Sequence, residues 1–103
     1  MKSIIDGKLY DTEKAEEIAE WENMQNCTDF HWYYERLFVT TKRNYFLHGQ
    51  GGAASRYAES GGGISSGSEA IIALTDDEAF DWLAKHGHTD VALEHFPAMI
   101  EDA

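Results

Sequence analysis

The side chains best suited to hold a metal ion lie close together near the carboxyl end of the sequence. His86, His88 and His95 supply imidazoles, and Asp90 and Glu94 supply carboxylates, which are ligands for zinc and other transition metals. An H-x-H spacing matches no recognised ligand pattern, however, and an imidazole near the last carbonyl groups of a helix is favourable without a metal. A small metal-dependent enzyme is therefore the least favoured interpretation, and we expect no metal site.

A glycine-rich stretch in the middle of the chain has the spacing of a dinucleotide-binding motif. Residues 49–54 fit G-x-G-x-x-A, and Glu69 stands at the distance where an acidic residue would contact a ribose. The strand before the motif belongs to a predicted antiparallel hairpin, and no strand-helix-strand unit follows it. We therefore expect a flexible loop and no cofactor.

The sequence offers no activated nucleophile. Ser65, Ser66 and Ser68 belong to a glycine- and serine-rich tract that is typical of a linker, and no base lies beside Cys27. A single cysteine also permits no disulfide within the chain, which fits a reducing cytoplasm. We predict a non-enzymatic, cytoplasmic protein.

The acidic side chains form the most regular polar pattern. The segment from Asp11 or Thr12 to Trp21 predicts a helix on which four carboxylates share one face at spacings i, i+3, i+4 and i+7. A charged face often does no more than meet solvent, but rows of carboxylates also imitate the phosphates of a nucleic-acid duplex. The carboxylates predicted to bind a partner are Glu13, Glu16, Glu17 and Glu20 on this helix, and Asp77 and Asp81 on a later one.

Aromatic residues predict a second, less ionic binding surface. Trp and Tyr are frequent among the residues that dominate binding energy at interfaces, so Trp21 and Tyr33 join the predicted partner-binding residues. Core packing is the favoured use of Trp32 and Phe38. The aromatics that exceed what a three-stranded sheet and two short helices can bury are Trp21, Trp32, Tyr33, Tyr34, Tyr45 and Tyr57.

Alternation and turn signals predict the strands that would carry these side chains. Aromatic and β-branched residues fit a pleated, half-buried surface, and a short polar turn between two such runs indicates an antiparallel hairpin. The predicted strands are a short strand or hairpin over 4–10 with a turn at Asp6-Gly7, and core strands at 30–39, 45–48 and 70–74.

Helix signals are strongest in the last third of the chain. Thr75-Asp76-Asp77-Glu78 is a capping box and Gly87 is a helix stop. A last short helix is predicted to begin with Thr89 as its cap and to break near Pro97. Residues 49–69 carry seven of the nine glycines and are predicted to be irregular, with about two helical turns possible over 53–59 and a mobile loop over 60–68.

These elements predict one α+β domain over residues 1–103. A small antiparallel sheet of about three strands would pack against two or three short helices. A chain of 103 residues is long enough for one hydrophobic core and too short for a second.

The balance of charge narrows the classes of partner. Eight Lys and Arg against 19 Asp and Glu give a formal charge of −11, which argues against a basic surface that binds nucleic acid. Residues 1–22 carry −4 and residues 76–103 carry −7, whereas residues 23–58 carry +2. The longest apolar runs fall far short of the roughly 20 residues that span a bilayer. We expect neither nucleic acid nor a membrane as a direct partner.

Three segments form a recognisable pattern: GKLYDTEKA at 7–15, YFLHGQGGA at 45–53 running into SRYA at 55–58, and LTDDEA at 74–79 with Trp82-Leu83. This pattern resembles a family of small acidic proteins carried by bacterial phages and integrative elements. The resemblance covers most of the chain and implies an accessory protein of a mobile element, similar in kind to anti-CRISPR and anti-restriction proteins. It contributes no catalytic residues.

Charge and resemblance together predict an inhibitor that binds a host defence complex, such as a CRISPR effector, and blocks its nucleic-acid-binding surface by charge mimicry. The alternative is a regulatory or structural module that binds other proteins through the aromatic hairpin. Salt distinguishes the two, because binding through carboxylates weakens steeply as salt screens them and binding through aromatics does not.

Overall fold

The computed structural model describes residues 1–22, 33–51, 59–61, 64–66 and 68–103. No helix within these ranges is long and apolar enough to cross a lipid bilayer. The strands are β1 (Lys2–Ile5), β2 (Lys8–Asp11), β3 (Glu16–Glu22), β4 (Tyr33–Val39), β5 (Tyr45–Gly51), β6 (Glu59–Gly61), β7 (Ile64–Ser66) and β8 (Ser68–Leu74). The helices are α1 (Asp76–Lys85) and α2 (Thr89–His95), followed by a 3-10 turn at Pro97–Met99.

Four strands form the main sheet in the order β3-β4-β5-β8, and each neighbouring pair is antiparallel. β1 pairs with β2 and β6 pairs with β7 in two separate hairpins. Both helices pack on one face of the main sheet. The α+β class, the antiparallel β4–β5 hairpin and the helical layer are confirmed, whereas the main sheet has four strands rather than about three.

The additional strand is β3, which occupies most of the segment predicted as the first helix. Residues 12–15 form a turn, and β3 then runs beside β4 with Glu16 opposite Val39 and Glu22 opposite Tyr34. The predicted helix is therefore wrong. Its four carboxylates do not share a helix face, because one lies in the turn and three lie along a strand.

A β-bulge explains why this strand has the sequence pattern of a helix. The register of β3 shifts between Glu17 and Ala19, and Ile18, Ala19 and Trp21 all belong to the core beneath the helices. The extra residue of a bulge breaks the two-residue alternation of a strand. Apolar residues at positions 18, 19 and 21 therefore imitate one face of a helix.

The N-terminal hairpin follows its prediction. Asp6 and Gly7 have φ angles of 52° and 76°, as a type I′ turn requires at both central positions, and this turn matches the twist of the flanking strands. The hairpin covers part of the sheet face opposite the helices, where the ring of Tyr10 meets that of Phe46 edge-on at 5.4 Å.

Helix α1 begins and ends where its signals place it. The Thr75 hydroxyl accepts a hydrogen bond from the Glu78 backbone N–H at 3.1 Å, and the Glu78 carboxylate accepts one from the Thr75 N–H at 2.9 Å. After the helix, Gly87 adopts a φ of 77°, which costs glycine nothing and strains other residues. The capping box and the glycine stop are both confirmed.

Helix α2 begins one residue earlier than predicted. Thr89 is its first helical residue, and His88 stands at the cap without a capping hydrogen bond from its side chain. The His88 carbonyl accepts from the Ala92 N–H at 3.0 Å, while the imidazole contacts the backbone carbonyl of Glu20 at 2.8 Å. The helix ends before Pro97, as predicted.

Each face of the main sheet carries a buried layer. Leu37 and Leu47 pack beneath Leu83 of α1 on the helix face. On the opposite face the rings of Phe38 and Phe46 stack with centroids 5.1 Å apart beneath the N-terminal hairpin. Alternate residues of β4 and β5 therefore serve two cores.

The stretch 49–69 contains more strand than its composition predicts. β5 continues to Gly51, β6 pairs with β7, and β8 begins at Ser68. Backbone hydrogen bonds between strands need no side chain, so glycine and serine are compatible with these short pairings. The predictions that lie outside the described residues are those for Cys27, Trp32, Tyr57, the end of the glycine motif and the helical turns over 53–58.

Candidate partner-binding groove

An acidic groove of about 330 Å³ lies between the edge strand β3 and helix α2. Its lining includes Glu16 and Glu17 of β3 and Glu94 of α2. The carboxylate of Glu17 lies on the opposite face of the sheet, 3.3 Å from Arg36, so Glu16 and Glu94 supply the acids of the groove. All three residues are exposed. The groove is completed by Ile18, Val91, His95 and, from the β4–β5 turn, Arg43. The tertiary structure thus brings Glu16, a predicted partner-binding residue, together with Glu94, an acid from a distant part of the chain.

The acids of β3 also have a structural use. β3 has one strand neighbour, β4, so its other edge is not covered by a strand of the main sheet. Charged side chains on an edge strand oppose pairing with a second chain. Protection of the strand edge is sufficient to explain why residues 16 and 17 are acidic. It gives no reason for Glu94 to lie in the same groove.

Two of the predicted carboxylates are engaged within the sheet. The guanidinium of Arg36 lies 3.3 Å from Glu17, and the Tyr34 hydroxyl donates to Glu20 at 2.5 Å. Burial, followed by this hydrogen bond, raises the pKa of Tyr34 to about 12. Glu16 and Glu94 form no ion pair with any described residue, so they are the groove acids with the most freedom to bind a cation.

The other predicted carboxylates lie outside the groove. Glu13 is exposed in the turn after β2, and its backbone N–H donates to Asp11 at 2.9 Å. Asp77 and Asp81 are exposed on α1, where an acid in the first turn interacts favourably with the helix dipole. These three residues are not brought together with Glu16 and Glu17.

Trp21 belongs to an aromatic cluster beside the helices. Its ring stacks on His86 with centroids 4.3 Å apart, and His86 meets Trp82 edge-on at 4.8 Å. Burial lowers the pKa of His86, so the imidazole between the two indoles is neutral at neutral pH. Trp21 is half-buried. We predicted that its ring binds a partner, and in the structure the ring packs against His86.

The two indole N–H groups of this cluster differ. Trp82 Nε1–H donates to Oε1 of Glu35 at 2.9 Å, and Glu35 is 2% exposed. The indole N–H of Trp21 is buried and has no acceptor among the described residues. A buried carboxyl group needs hydrogen-bond donors, because burial removes it from water, and Trp82 supplies one of them.

The histidines of the candidate metal cluster lie in different surroundings. His88 stacks on Trp82 at 5.6 Å, whereas Nδ1 of His95 lies 3.2 Å from the Tyr45 hydroxyl. Within the described residues, no three His, Cys, Asp or Glu side chains are arranged to hold a metal ion. Each of these imidazoles instead packs against an aromatic ring or contacts a polar group of the protein.

The aromatic hairpin exposes less than expected. Tyr45 is buried, contrary to prediction, whereas Phe38 is buried as predicted, and Phe46 is buried as well. Tyr33 is half-buried at the start of β4, opposite Gly51, and the hydroxyl of half-buried Tyr34 is bonded to a glutamate. The described aromatics of β4 and β5 mainly fill the two cores.

A row of polar side chains crosses all four strands of the main sheet on the face opposite the helices. Arg36 lies 3.3 Å from Glu17 and 2.7 Å from Nδ1 of His48, and Nε2 of His48 lies 3.3 Å from Glu69. Arginine is always protonated and donates, so Nδ1 of His48 must accept and Nε2–H donates to the Glu69 carboxylate. The row thus selects one neutral tautomer of His48.

We expect acid to weaken the fold through His48. Burial lowers its pKa from the usual 6.5, so the folded state binds fewer protons than the unfolded state, and the stabilisation is present above about pH 6.5 and declines below it. The urea midpoint should fall from about pH 7.5 to about pH 5.5. His86 has the same sign of shift, so H48Q should remove part of this dependence and H48Q/H86Q most of it. An equal pH dependence in the double variant would contradict the assignment.

The groove could not have been found from the sequence. Glu16 and Glu94 are 78 positions apart, and the prediction of a helix over 11–21 put the first of them on the wrong kind of element. Glu94 and His95 did stand out in the sequence, because a carboxylate and an imidazole lie side by side there. That pair indicated a metal site rather than a groove. Only the packing of α2 beside β3 brings these residues together.

No family model, curated protein or solved structure matches this chain. The geometry of the groove is therefore the principal basis for assigning a function.

Proposed function

We propose that this chain is a non-enzymatic acidic protein that binds a basic surface of another protein through the groove between β3 and α2. The convergence of Glu16 and Glu94, which form no ion pair with any described residue, on one groove carries this proposal. A carboxylate-lined recess of about 330 Å³ suits the guanidinium or ammonium end of a partner's side chain. Arginine is favoured, because its planar group can bond a carboxylate through two N–H groups at once.

The partner class that we propose is a nucleic-acid-binding protein of a host defence system, such as a CRISPR effector. The Lys and Arg side chains of such a protein normally contact phosphates, and the carboxylates of the inhibitor would compete for them. The net charge of −11 would speed the encounter, because opposite charges steer association at low salt. The resemblance to mobile-element proteins guides this choice of partner.

The spacing of carboxylates limits what β3 alone could imitate. Strand residues rise about 3.4 Å each, so residues 16–22 span about 20 Å with four glutamates. A duplex carries one charge per about 1.7 Å of axis, which is about three times denser. Mimicry of a nucleic acid therefore needs acids from a second element, and Glu94 of α2 is placed to contribute one.

Two binding measurements test the groove. A fluorescent hexa-arginine peptide reports on guanidinium binding, and a purified CRISPR effector reports on inhibition of target cleavage. We expect E16Q/E94Q to weaken peptide binding by about fivefold or more, since each exposed ion pair contributes modestly and two are lost. Binding should also weaken sharply between about 50 and about 500 mM salt.

The matched control is D77N/D81N, which removes two acids that do not line the groove. This control should retain most of the peptide affinity and of any inhibition, because the overall charge changes equally in both variants. Equal losses would show that net charge, and not the groove, governs binding. If effectors of several CRISPR types cleaved their targets fully at a large excess of the wild-type protein, the proposed partner class would be refuted. Peptide binding would still test the groove independently of that result.

A further inference from the structure

A second recess, of about 370 Å³, lies between the N-terminal hairpin and the β4–β5 turn. Three lysines line it from three different segments: Lys8 from β2, Lys14 from the turn that follows β2, and Lys42 from the β4–β5 turn. We refer to it as the lysine cleft. Its lining also includes Leu9, Tyr10, Asp11, Ala15, Thr40, Thr41 and Asn44.

The lysine cleft has the opposite charge to most of the protein. Three of the five lysines of a chain with a net charge of −11 line this one recess. None of the three forms an ion pair within the described part of the chain. One carboxylate, that of buried Asp11, lines the same recess, and its Oδ1 accepts the Glu13 N–H at 2.9 Å. The cleft therefore keeps an excess of positive charge that a bound anion would offset.

Backbone hydrogen bonds fix the segments that carry the lysines. In the β4–β5 turn, the Thr40 N–H donates to the Asn44 carbonyl at 2.9 Å, and the Arg43 N–H donates to the Thr40 carbonyl at 2.9 Å. Beyond β2, the backbone N–H groups of Lys14 and Ala15 both donate to the Asp11 carbonyl. The backbone that carries Lys14 and Lys42 is thus held in place, so ligand binding does not have to order these turns.

We propose that the lysine cleft binds a small phosphate monoester with a compact apolar portion. Lysine binds phosphate as a point charge, and the hydroxyl of Thr41 and the amide of Asn44 add possible donors. Leu9, 49% exposed beside the lysines, offers contact to the apolar portion. The volume falls within the roughly 300–1,000 Å³ typical of small-molecule sites.

The charge of the rest of the protein restricts the ligand to a small one. A long polyanion such as a nucleic acid would extend beyond the cleft and meet the acidic surfaces of a chain with a net charge of −11. Like charges repel over about 10 Å at ordinary salt. A single phosphate group remains within the positive recess and avoids that repulsion.

Isothermal titration calorimetry with phenyl phosphate and with inorganic phosphate tests this site. We expect saturable binding of phenyl phosphate with a Kd below about 1 mM and weaker binding of inorganic phosphate, which lacks the apolar contact. K8Q/K14Q/K42Q should weaken phenyl phosphate binding by about tenfold or more. L9A should weaken phenyl phosphate binding and leave inorganic phosphate binding unchanged.

The charge-matched comparison is K8Q/K42Q against K2Q/K85Q, because each pair removes two exposed lysines and only the first pair lines the cleft. Loss of binding in K8Q/K42Q with wild-type affinity in K2Q/K85Q supports the site. Equal loss in both pairs, or no saturable binding of either phosphate to the wild-type protein, overturns it. Circular dichroism of each variant confirms that the fold is retained, and amide shifts of the wild-type protein on titration with phenyl phosphate locate binding independently of any substitution.

Discussion

Replacing Phe46 by alanine is expected to lower the free energy of unfolding by about 3–5 kcal/mol, the usual cost of deleting a buried aromatic side chain. Phe46 has no exposed surface. Its ring stacks on Phe38 at 5.1 Å and meets Tyr10 edge-on at 5.4 Å, so it joins the N-terminal hairpin to the main sheet. A loss of this size is a large part of the roughly 5–15 kcal/mol by which small domains are stable. Urea unfolding followed by circular dichroism measures it.

The control for Phe46 is Leu9→Ala in the same hairpin. Leu9 is a large apolar residue on the surface, and surface substitutions usually change the free energy of unfolding by no more than about 0.5 kcal/mol. A cost below about 1.5 kcal/mol for Phe46→Ala would mean that the second core contributes little and that the hairpin is only loosely docked.

Trp82→Phe should lower the free energy of unfolding by about 1–3 kcal/mol, the usual cost of leaving a buried polar group without its partner. The substitution keeps an aromatic ring but removes the N–H that donates to Glu35 at 2.9 Å. Glu35 lies almost entirely out of water, so water cannot readily replace the lost donor. Chemical unfolding of the two proteins at the same pH gives the difference.

Trp21→Phe is the matched control for this hydrogen bond. Trp21 and Trp82 both contact the ring of His86, but the buried indole N–H of Trp21 has no acceptor among the described residues. Removing the Trp21 N–H should therefore lower the free energy of unfolding by less than removing the Trp82 N–H does. If both variants lost equal stability, ring size rather than the bond to Glu35 would explain the effect.

The β4–β5 turn separates the two recesses that we propose as binding sites. Lys42 lines the lysine cleft and the next residue, Arg43, lines the acidic groove. Arg43 has a φ of 66°, in the left-handed region that few residues other than glycine adopt. Two successive cations of one short turn therefore line two recesses of opposite charge. The net charge of residues 23–58 could not predict this arrangement.

Local signals predicted several elements because their physical cause is local. The Asp6-Gly7 turn requires only two residues with positive φ, and the capping box requires only Thr75 and Glu78 at the correct spacing. The start of α2 was misplaced because the side chain of its cap, His88, contacts a distant strand rather than the first turn of the helix. Sequence spacing contains no information about that contact.

The candidate sites depended on tertiary structure to a greater degree. Glu16, Glu17 and Glu20 were selected from the sequence for the wrong reason, because the bulge at Ile18 gives a strand the apolar spacing of a helix. In the structure their side chains differ: Glu20 is bonded to Tyr34, Glu17 pairs with Arg36, and Glu16 is directed to the groove. The three lysines of the cleft form no recognisable spacing in the sequence, since they come from separate segments. The sequence therefore did not predict the cleft.

By itself the sequence determined the acidity of the protein, its single α+β domain, the β4–β5 hairpin and the boundaries of α1, because composition and short-range turn and cap chemistry are sufficient for these features. Tertiary structure alone decided that β3 is an edge strand, that Glu94 lies beside it, and that three lysines meet in one recess. The physical reason is that contacts between distant segments arise from the packing of whole elements around two cores. No spacing within a short window of sequence records which elements will become neighbours.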